Sequence, residues 1–351
     1  MNQEHAARRL GKGAVPAPAA PLPAALAAYA TGEPEPAYRL LAEREDGTVV
    51  RCGQVVAKAH AADSDPEELA VRMRIAADPA LAGVLLPPLR PGAGLLRGRP
   101  VSLWPYGDPV DAERPEDAPW EAAAELLAAL HRVPLAALPG PLPAMRGPAK
   151  LARALRRLAR AGGPDRGPRP AAGSPAVPRA PGGGGGGSGL GPQVVWDAAR
   201  TLPAWARGEV PAPGGGVLCH GDLHLGQLVR GSAAGGGWRL IDVDDLGVGA
   251  PAWDLARPAA WYAAGVLGSG AWGRFLGAYR AAGGPAAGPA GCDPWPALDA
   301  AARALTVQTA ALALAKAAEN RRRLDDVERL MVESCARIAT LPPDLEGPRP
   351  A

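Results

Sequence analysis

A two-lobed α+β fold is what this sequence predicts, and three observations carry that reading. Residues 37–58 alternate short β-type runs with tight turns. From Trp120 nearly to the C-terminus, apolar residues recur at helical spacing. At 351 residues the chain can bury a large core and divide into two lobes. The expected division is a poorly ordered tail (1–33), a small α+β lobe (34–108) and a mainly helical lobe (109–345), the last interrupted by a flexible low-complexity insertion (162–192).

The elements follow in order. The Ala- and Pro-rich start leaves room for a helical turn or two at 24–29. Tyr38-Arg39-Leu40-Leu41, Thr48-Val49-Val50 and Gln54-Val55-Val56-Ala57-Lys58 read as strands, with Asp46-Gly47 the clearest hairpin turn. Asp65 can cap a helix, Pro66 suits its first position, and Glu68 stands where a capping box needs a carboxylate. Two further strands are expected at 84–89 and 100–104, the second running into Pro105-Tyr106-Gly107. Trp120 to His131 places Ala123, Leu126, Leu127 and Leu130 on one helical face. Leu151, Leu155 and Leu158 mark another helix, whose Lys150, Arg153, Arg157 and Arg160 read as a solvated basic face. The insertion contains six consecutive glycines, 182–187. Helix is then expected at 193–207, with a break at Pro203, and at 296–323 and 325–341.

Composition narrows the function. Hydrophobic residues at 47% and charged residues at 21% are ordinary for a globular protein, and the net charge of +3 gives no bulk electrostatic reason to bind nucleic acid or a membrane. No apolar run approaches the ~18 residues of a membrane span. The polar N-terminus lacks the apolar core of a signal peptide. Cys52, Cys219, Cys292 and Cys335 form no CxxC pair, which points to a reducing, cytoplasmic setting. The sequence does not specify an oligomeric state.

The chemistry concentrates in His220-Gly221-Asp222-Leu223-His224-Leu225-Gly226-Gln227 and in Ile241-Asp242-Val243-Asp244-Asp245. Apolar residues 217–219 lead into the first segment, Leu228-Val229 leave it, and Trp238-Arg239-Leu240-Ile241 read as a strand ending at Asp242. A hairpin-like pairing would bring Asp222, Gln227 and Asp242 together. Phosphoryl transfer needs such a group: a carboxylate to orient a hydroxyl and take its proton, and hard oxygen ligands for magnesium on the phosphates.

These motifs, followed by Pro251-Ala252-Trp253-Asp254-Leu255-Ala256, resemble the aminoglycoside phosphotransferase family of kinase-like enzymes. The Leu225-Gly226-Gln227 ending is similar to the actinobacterial maltokinase and aminosugar-kinase branch. The resemblance implies a bilobal protein-kinase-like fold, with ATP and Mg2+ as cofactors and a small molecule as hydroxyl acceptor: a sugar, an aminosugar or an aminoglycoside-type antibiotic. It makes Asp222 the catalytic base, Gln227 and Asp242 the magnesium ligands, His220 a brace for the loop and Asp254 its anchor, with His224 and Asp245 in supporting positions. In the first lobe it makes Lys58 the phosphate-contacting lysine, with Glu68 or Glu67 as its partner, and puts the hinge at Trp104 and Tyr106.

Two positions depart from the family pattern. Gln227 stands where most relatives have Asn, adding about 1.5 Å of reach against magnesium's ~2.0–2.1 Å bonds, and Ala250 replaces an Asp. There is no GxGxxG, and the segment Glu45-Asp46-Gly47-Thr48 is short and acidic. Asp244, Asp245, Glu319 and Glu328 are the acidic candidates for a cationic acceptor. Two other readings stand beside this one. In a metal-dependent hydrolase His220, Asp222 and His224 would alternate onto one face and hold zinc. A kinase fold could also serve as a non-catalytic nucleotide-binding module.

Overall fold

The computed structural model describes residues 20–44, 47–162, 191–212, 216–231 and 236–342. The chain divides into two compact units, one of residues 1–64 and 94–103, the other of 65–93 and 104–351.

The first unit is a helix on a sheet. Helix α1 (Leu22–Thr31) is followed by strands β1 (Arg39–Arg44), β2 (Gly47–Cys52), β3 (Val55–His60), β4 (Gly94–Leu96) and β5 (Arg99–Pro105). They form one sheet in the order β1-β2-β3-β5-β4. β1 and β2 pair antiparallel and close at Arg44↔Gly47, as the expected turn requires, although Asp46 itself lies outside the described residues. The core joins Leu26 and Ala27 of α1 to Val50, Ala57, Ala59, Val101 and Leu103 of the sheet. The expectation of a poorly ordered 1–33 is therefore corrected at its end. Residues 22–31 are helix because Leu26 and Ala27 have an apolar sheet to cover, and Gly32, at φ 78°, closes that helix in the left-handed conformation.

The second unit is mainly helical: α2 (Pro66–Ala76), α3 (Trp120–His131), α4 (Gly147–Ala161), α5 (Pro192–Arg200), α6 (Ala252–Ala263), α7 (Ser269–Ala281), α8 (Trp295–Glu319) and α9 (Asp326–Ile338). Asp65 caps α2 by accepting from the N–H groups of Glu67 and Glu68, and Asp325 with Glu328 closes a full capping box on α9. α8 is buried nearly all round, with alanines at most contact positions, so α4, α6 and α9 can approach it closely. The expected 193–207 helix stops at Arg200, ahead of Pro203. Residues 163–190 of the low-complexity insertion lie outside the described residues.

Five short strands carry the polar loop: β6 (Gly107–Pro109), β7 (Val217–Cys219), β8 (Leu228–Gly231), β9 (Trp238–Leu240) and β10 (Gly247–Gly249). They pair as β6-β8-β9 and as β10-β7. The strand expected at 84–89 is not formed. Leu85 makes one parallel bridge with Leu240, supported by Leu86 N–H to Leu240 O and Leu240 N–H to Val84 O, both 2.9 Å. Pro87 and Pro88 cannot donate to a longer ladder. Residues 65–93, expected in the first lobe, cluster with the helical unit.

Candidate active site

The site grows from the turn between β7 and β8. Asp254, in the first turn of α6, is 1% exposed and accepts hydrogen bonds from His220 N–H (2.6 Å) and Gly221 N–H (2.7 Å). His131 Nε2 lies 3.0 Å from the same carboxylate, and Tyr279 lies 2.8 Å from His131 Nδ1. His131 thus donates to Asp254 and accepts from Tyr279, and the backbone N–H of Ala286 reaches Tyr279 Oη in turn. A buried carboxylate with this many donors is satisfied and fixed. Gly221 is required where it stands. Its φ is 85°, and a Cβ would come within 2.5 Å of Asp245 O.

His220 braces the other side. Its Nε2 donates to Ile241 O at 2.8 Å and its Nδ1 faces Asp222 N–H at 3.4 Å, which ties the loop to the end of β9. His224 Nδ1 accepts from Gly226 N–H at 3.1 Å. Burial, with Arg257 nearby, lowers the His224 pKa to about 4, so the ring is neutral at pH 7 and free to accept. Gln227 and Asp242 converge: Gln227 Nε2 donates to Asp242 Oδ2 at 3.2 Å, and Ile241 N–H donates to Gln227 O. Asp242 adopts φ 66°, a left-handed conformation in which non-glycine residues mark strained, often functional positions.

Asp222 is held from two directions. Arg257 lies 2.6 Å from its Oδ1 and also donates to Leu223 O, while Lys150 Nζ lies 2.9 Å from its Oδ2. Burial raises the Asp222 pKa, but Lys150 and Arg257 outweigh it and hold the carboxyl at about 2. Asp254 and Arg257 are three residues apart on one face of α6, so a single helical turn grips the loop by its N–H groups and by its acid.

Lys150 arrives through α4. Residues 143–146 run along β10, with Val248 N–H to Pro143 O (2.8 Å), Met145 N–H to Val248 O (2.9 Å) and Arg146 N–H to Asp245 O (3.2 Å). Gly147 then sits against the Trp253 ring, where a Cβ would come within 2.0 Å of the indole nitrogen. One turn on, Lys150 Nζ bridges Asp222 and Asp245, the latter at 2.7 Å. Burial works against the ammonium, yet the two carboxylates prevail and its pKa is raised. Burial pushes the Asp245 pKa up, and the charges of both Asp222 and Asp242 reach it.

The remaining positions fall elsewhere. Glu68, on α2, pairs with Arg72 at 2.9 Å, and the buried Arg72 donates to Leu246 O beside the site. Trp104 is buried at the end of β5, and Tyr106 is half-buried just before β6. Lys58 lies on β3 of the first unit, on the face opposite the buried Ala57 and Ala59. His220, Asp222 and His224 do not form a ligand trio. Among the described residues His131, Cys219 and Asp254 alone approach within 4.8 Å as a set, and hydrogen bonds already occupy His131 and Asp254. Three of the four acids considered for a cationic acceptor are paired: Asp245 with Lys150, Glu319 with Arg157 at 2.6 Å and Glu328 with Arg322 at 2.6 Å.

The sequence profile described as the phosphotransferase enzyme family matches residues 53–295, more than half of the chain. The chain belongs to the phosphotransferase enzyme family. It is a phosphotransferase. Solved structures agree on the fold. A choline/ethanolamine kinase family protein from Mesorhizobium loti is 17% identical, with a TM-score of 0.53 over 87% of this chain and 89% of that one. A thermostable mutant of the aminoglycoside phosphotransferase APH(4)-Ia is 14% identical, with a TM-score of 0.54 over 86% and 94%. The spectinomycin phosphotransferase APH(9)-Ia, solved with ADP and spectinomycin, is 13% identical, with a TM-score of 0.50 over 88% and 90%. No curated protein matches the sequence significantly. The fold of this phosphotransferase is thus α+β and protein-kinase-like, a small sheet lobe followed by a larger helical lobe.

Lys150, Arg257 and His131 were not singled out by sequence. Arg257 carried a usable signal, since it follows the Asp254 motif at a spacing of three. Lys150 sat among four basic residues of one helix, and nothing local separates it from Arg157, which pairs with Glu319.

Proposed function

We propose that this phosphotransferase moves the γ-phosphoryl group of ATP to a hydroxyl of a small molecule, with Asp222 as the base. The observation that carries the reading is the double hold on the loop. Asp254 fixes the backbone of residues 220 and 221 while Arg257, one turn along the same helix, fixes the Asp222 carboxylate. An acid so placed cannot swing away from an incoming hydroxyl, and prepaid orientation is most of what phosphoryl transfer asks of a protein. With a pKa of about 2 it is ionised at any physiological pH. It orients the acceptor O–H, which attacks phosphorus as the bond to the ADP oxygen breaks, and it takes the released proton.

Gln227 and Asp242 fit magnesium. They supply an amide oxygen and a carboxylate oxygen, both hard donors, within one hydrogen bond of each other. Magnesium typically takes only one or two protein ligands beside phosphate and water. Gln227 would turn its Oε1 toward the ion, which when bound supplies charge neutralisation on the phosphates. Lys58 is assigned to the phosphates and the Trp104–Tyr106 backbone to the base, on the sequence resemblance alone. Free thiols at Cys52, Cys219, Cys292 and Cys335 suit a reducing, cytoplasmic setting.

The test is an Asp222→Asn variant assayed for ADP release with magnesium and ATP. General bases typically contribute ~10²–10⁴-fold, so turnover falls by about that factor while ATP affinity persists. Unchanged turnover removes Asp222 from the mechanism.

A further inference from the structure

We propose that Lys150 sets the acceptor class of this site, admitting neutral or acid-bearing hydroxyl compounds and rejecting those that present an ammonium group beside the reacting hydroxyl. The proposal rests on the phosphotransfer reading of Asp222. An acceptor hydroxyl must reach an Asp222 oxygen to be deprotonated. Each carboxylate oxygen offers two lone-pair directions. One on Oδ2 is taken by Lys150 at 2.9 Å and one on Oδ1 by Arg257 at 2.6 Å. Two directions remain, one on each oxygen, and a hydroxyl that uses the one on Oδ2 lies within roughly 3 Å of the atom that Lys150 holds. Substituents on the neighbouring carbons then come to rest against the Lys150 ammonium.

That ammonium cannot retreat cheaply. It is clamped a second time by Asp245 at 2.7 Å, and Gly147 packed on Trp253 fixes the start of its helix. The charge balance points the same way. Asp222 and Asp245 are matched by Lys150 and Arg257, with Arg146 3.8 Å from Asp245 as a third cation. Glu319 and Glu328 are likewise committed to Arg157 and Arg322. A site that captures a polycation needs carboxylates left over, and Asp222, Asp245, Glu319 and Glu328 are engaged. A neutral polyol meets donors and acceptors here. A carboxylate-bearing one gains Lys150 as a partner, whereas an amine meets a like charge in a partly desolvated setting.

The experiment uses the full chain with magnesium and ATP and measures ADP release together with the phosphorylated product. Acceptors come in matched pairs: glucosamine against N-acetylglucosamine and glucose, kanamycin against its N-acetylated form, and gluconate as the acid. Wild type should prefer the uncharged or acidic member of each pair by on the order of 100-fold in kcat/KM. Lys150→Gln should shrink that preference to about threefold or reverse it, since an acceptor amine can then take the lysine's place between the two aspartates. Lys150→Arg, which keeps the charge, should retain it. An amine-bearing acceptor preferred by the wild-type protein overturns the proposal, and so does a preference identical in Lys150→Gln. Should that variant be inactive or unfolded, the wild-type ratios decide alone. Asp222→Asn separates the two claims: if it turns over normally, or if the wild type phosphorylates none of the acceptors, the phosphotransfer reading of Asp222 has failed first.

Discussion

Single residues around the loop work by holding or withholding protons, and His224 gives the sharpest prediction of this kind. Its folded pKa of about 4 lies below the ordinary value of 6.5. Between those values the unfolded chain binds the proton and the folded chain does not. Stability therefore falls as pH drops from about 6.5 to about 4 and stays flat with respect to this group below that. The full shift would be worth about 3 kcal/mol. His224 is partly exposed, so screening leaves roughly 2 kcal/mol. The window is distinct from that of Asp222, whose pKa is depressed to about 2; its contribution is present above pH ~4 and is lost only as pH falls toward 2. Urea unfolding of wild type and His224→Asn at pH 7.0, 5.5 and 4.5 checks the sign. Asn can still accept from Gly226 N–H as an N-cap, so its pH dependence should be flatter by about that amount. Equal slopes would mean that His224 titrates alike in the folded and unfolded chain. At this scale the motif residues were legible because they are contiguous. Asp222, Gln227 and Asp242 sit within 21 positions of one another. Lys150 and His131 reach the site from α4 and α3, across 72 and 123 residues from Asp222 and Asp254 respectively, a separation that local pattern cannot bridge.

The helices show a second kind of illegibility, in which composition hides packing. Residues 22–31 continue an Ala- and Pro-rich stretch, and the apolar sheet of the first unit explains why they form α1. The converse holds at 84–89, where an apolar run reads as a strand and forms none. Its hydrogen bonding amounts to a bridge at Leu85 and a pair of bonds to Leu240, because two prolines end the ladder. The leucine spacing of α4 marks the helix and does not distinguish the partners of its basic residues. Its apolar stripe of Leu151, Ala154 and Leu158 is buried, while its basic residues divide between solvent, Glu319 and the aspartates of the loop. The start of the helix bears on that division, and there Gly147 packs against Trp253. A methyl group there would meet the Trp253 indole at 2.0 Å. Gly147→Ala must push α4 away from α6, at a cost typical of overpacking, about 1–3 kcal/mol. It should also draw Lys150 from Asp222 and alter acceptor turnover with it. Thermal denaturation checks the first effect and kcat/KM on the best acceptor the second. A variant as stable and as active as wild type would show that the helix start tolerates displacement.

Across the whole molecule, the order of periodicities was enough to read the fold class: strand runs first, helical spacing afterwards, and a polar loop set between short apolar segments. The boundary was less legible. Residues 65–93 read as part of the first lobe because their helix follows β3 directly. They cluster with the helical unit, to which Arg72 is tied by its bonds to Leu246 O and Ala144 O. Lys58, proposed for the phosphates, belongs to one compact unit, and Gln227 and Asp242, proposed for the ion, belong to the other. Ligand linkage can test that assignment without any knowledge of the acceptor. A ligand that binds the folded chain alone stabilises it by RT ln(1 + [L]/Kd), about 2.7 kcal/mol at a hundredfold excess over Kd. If Lys58 contacts phosphate while Gln227 and Asp242 hold the ion, ATP with magnesium should raise the melting temperature by several degrees and ATP with EDTA by less. Asp242→Asn should remove the difference between those two conditions, and Lys58→Met should shrink both. The two variants lie in separate units, each with its own core, so a loss common to both cannot come from local damage to one unit. Magnesium-independent stabilisation that survives Asp242→Asn would detach this carboxylate from the ion and leave Gln227 without its proposed partner.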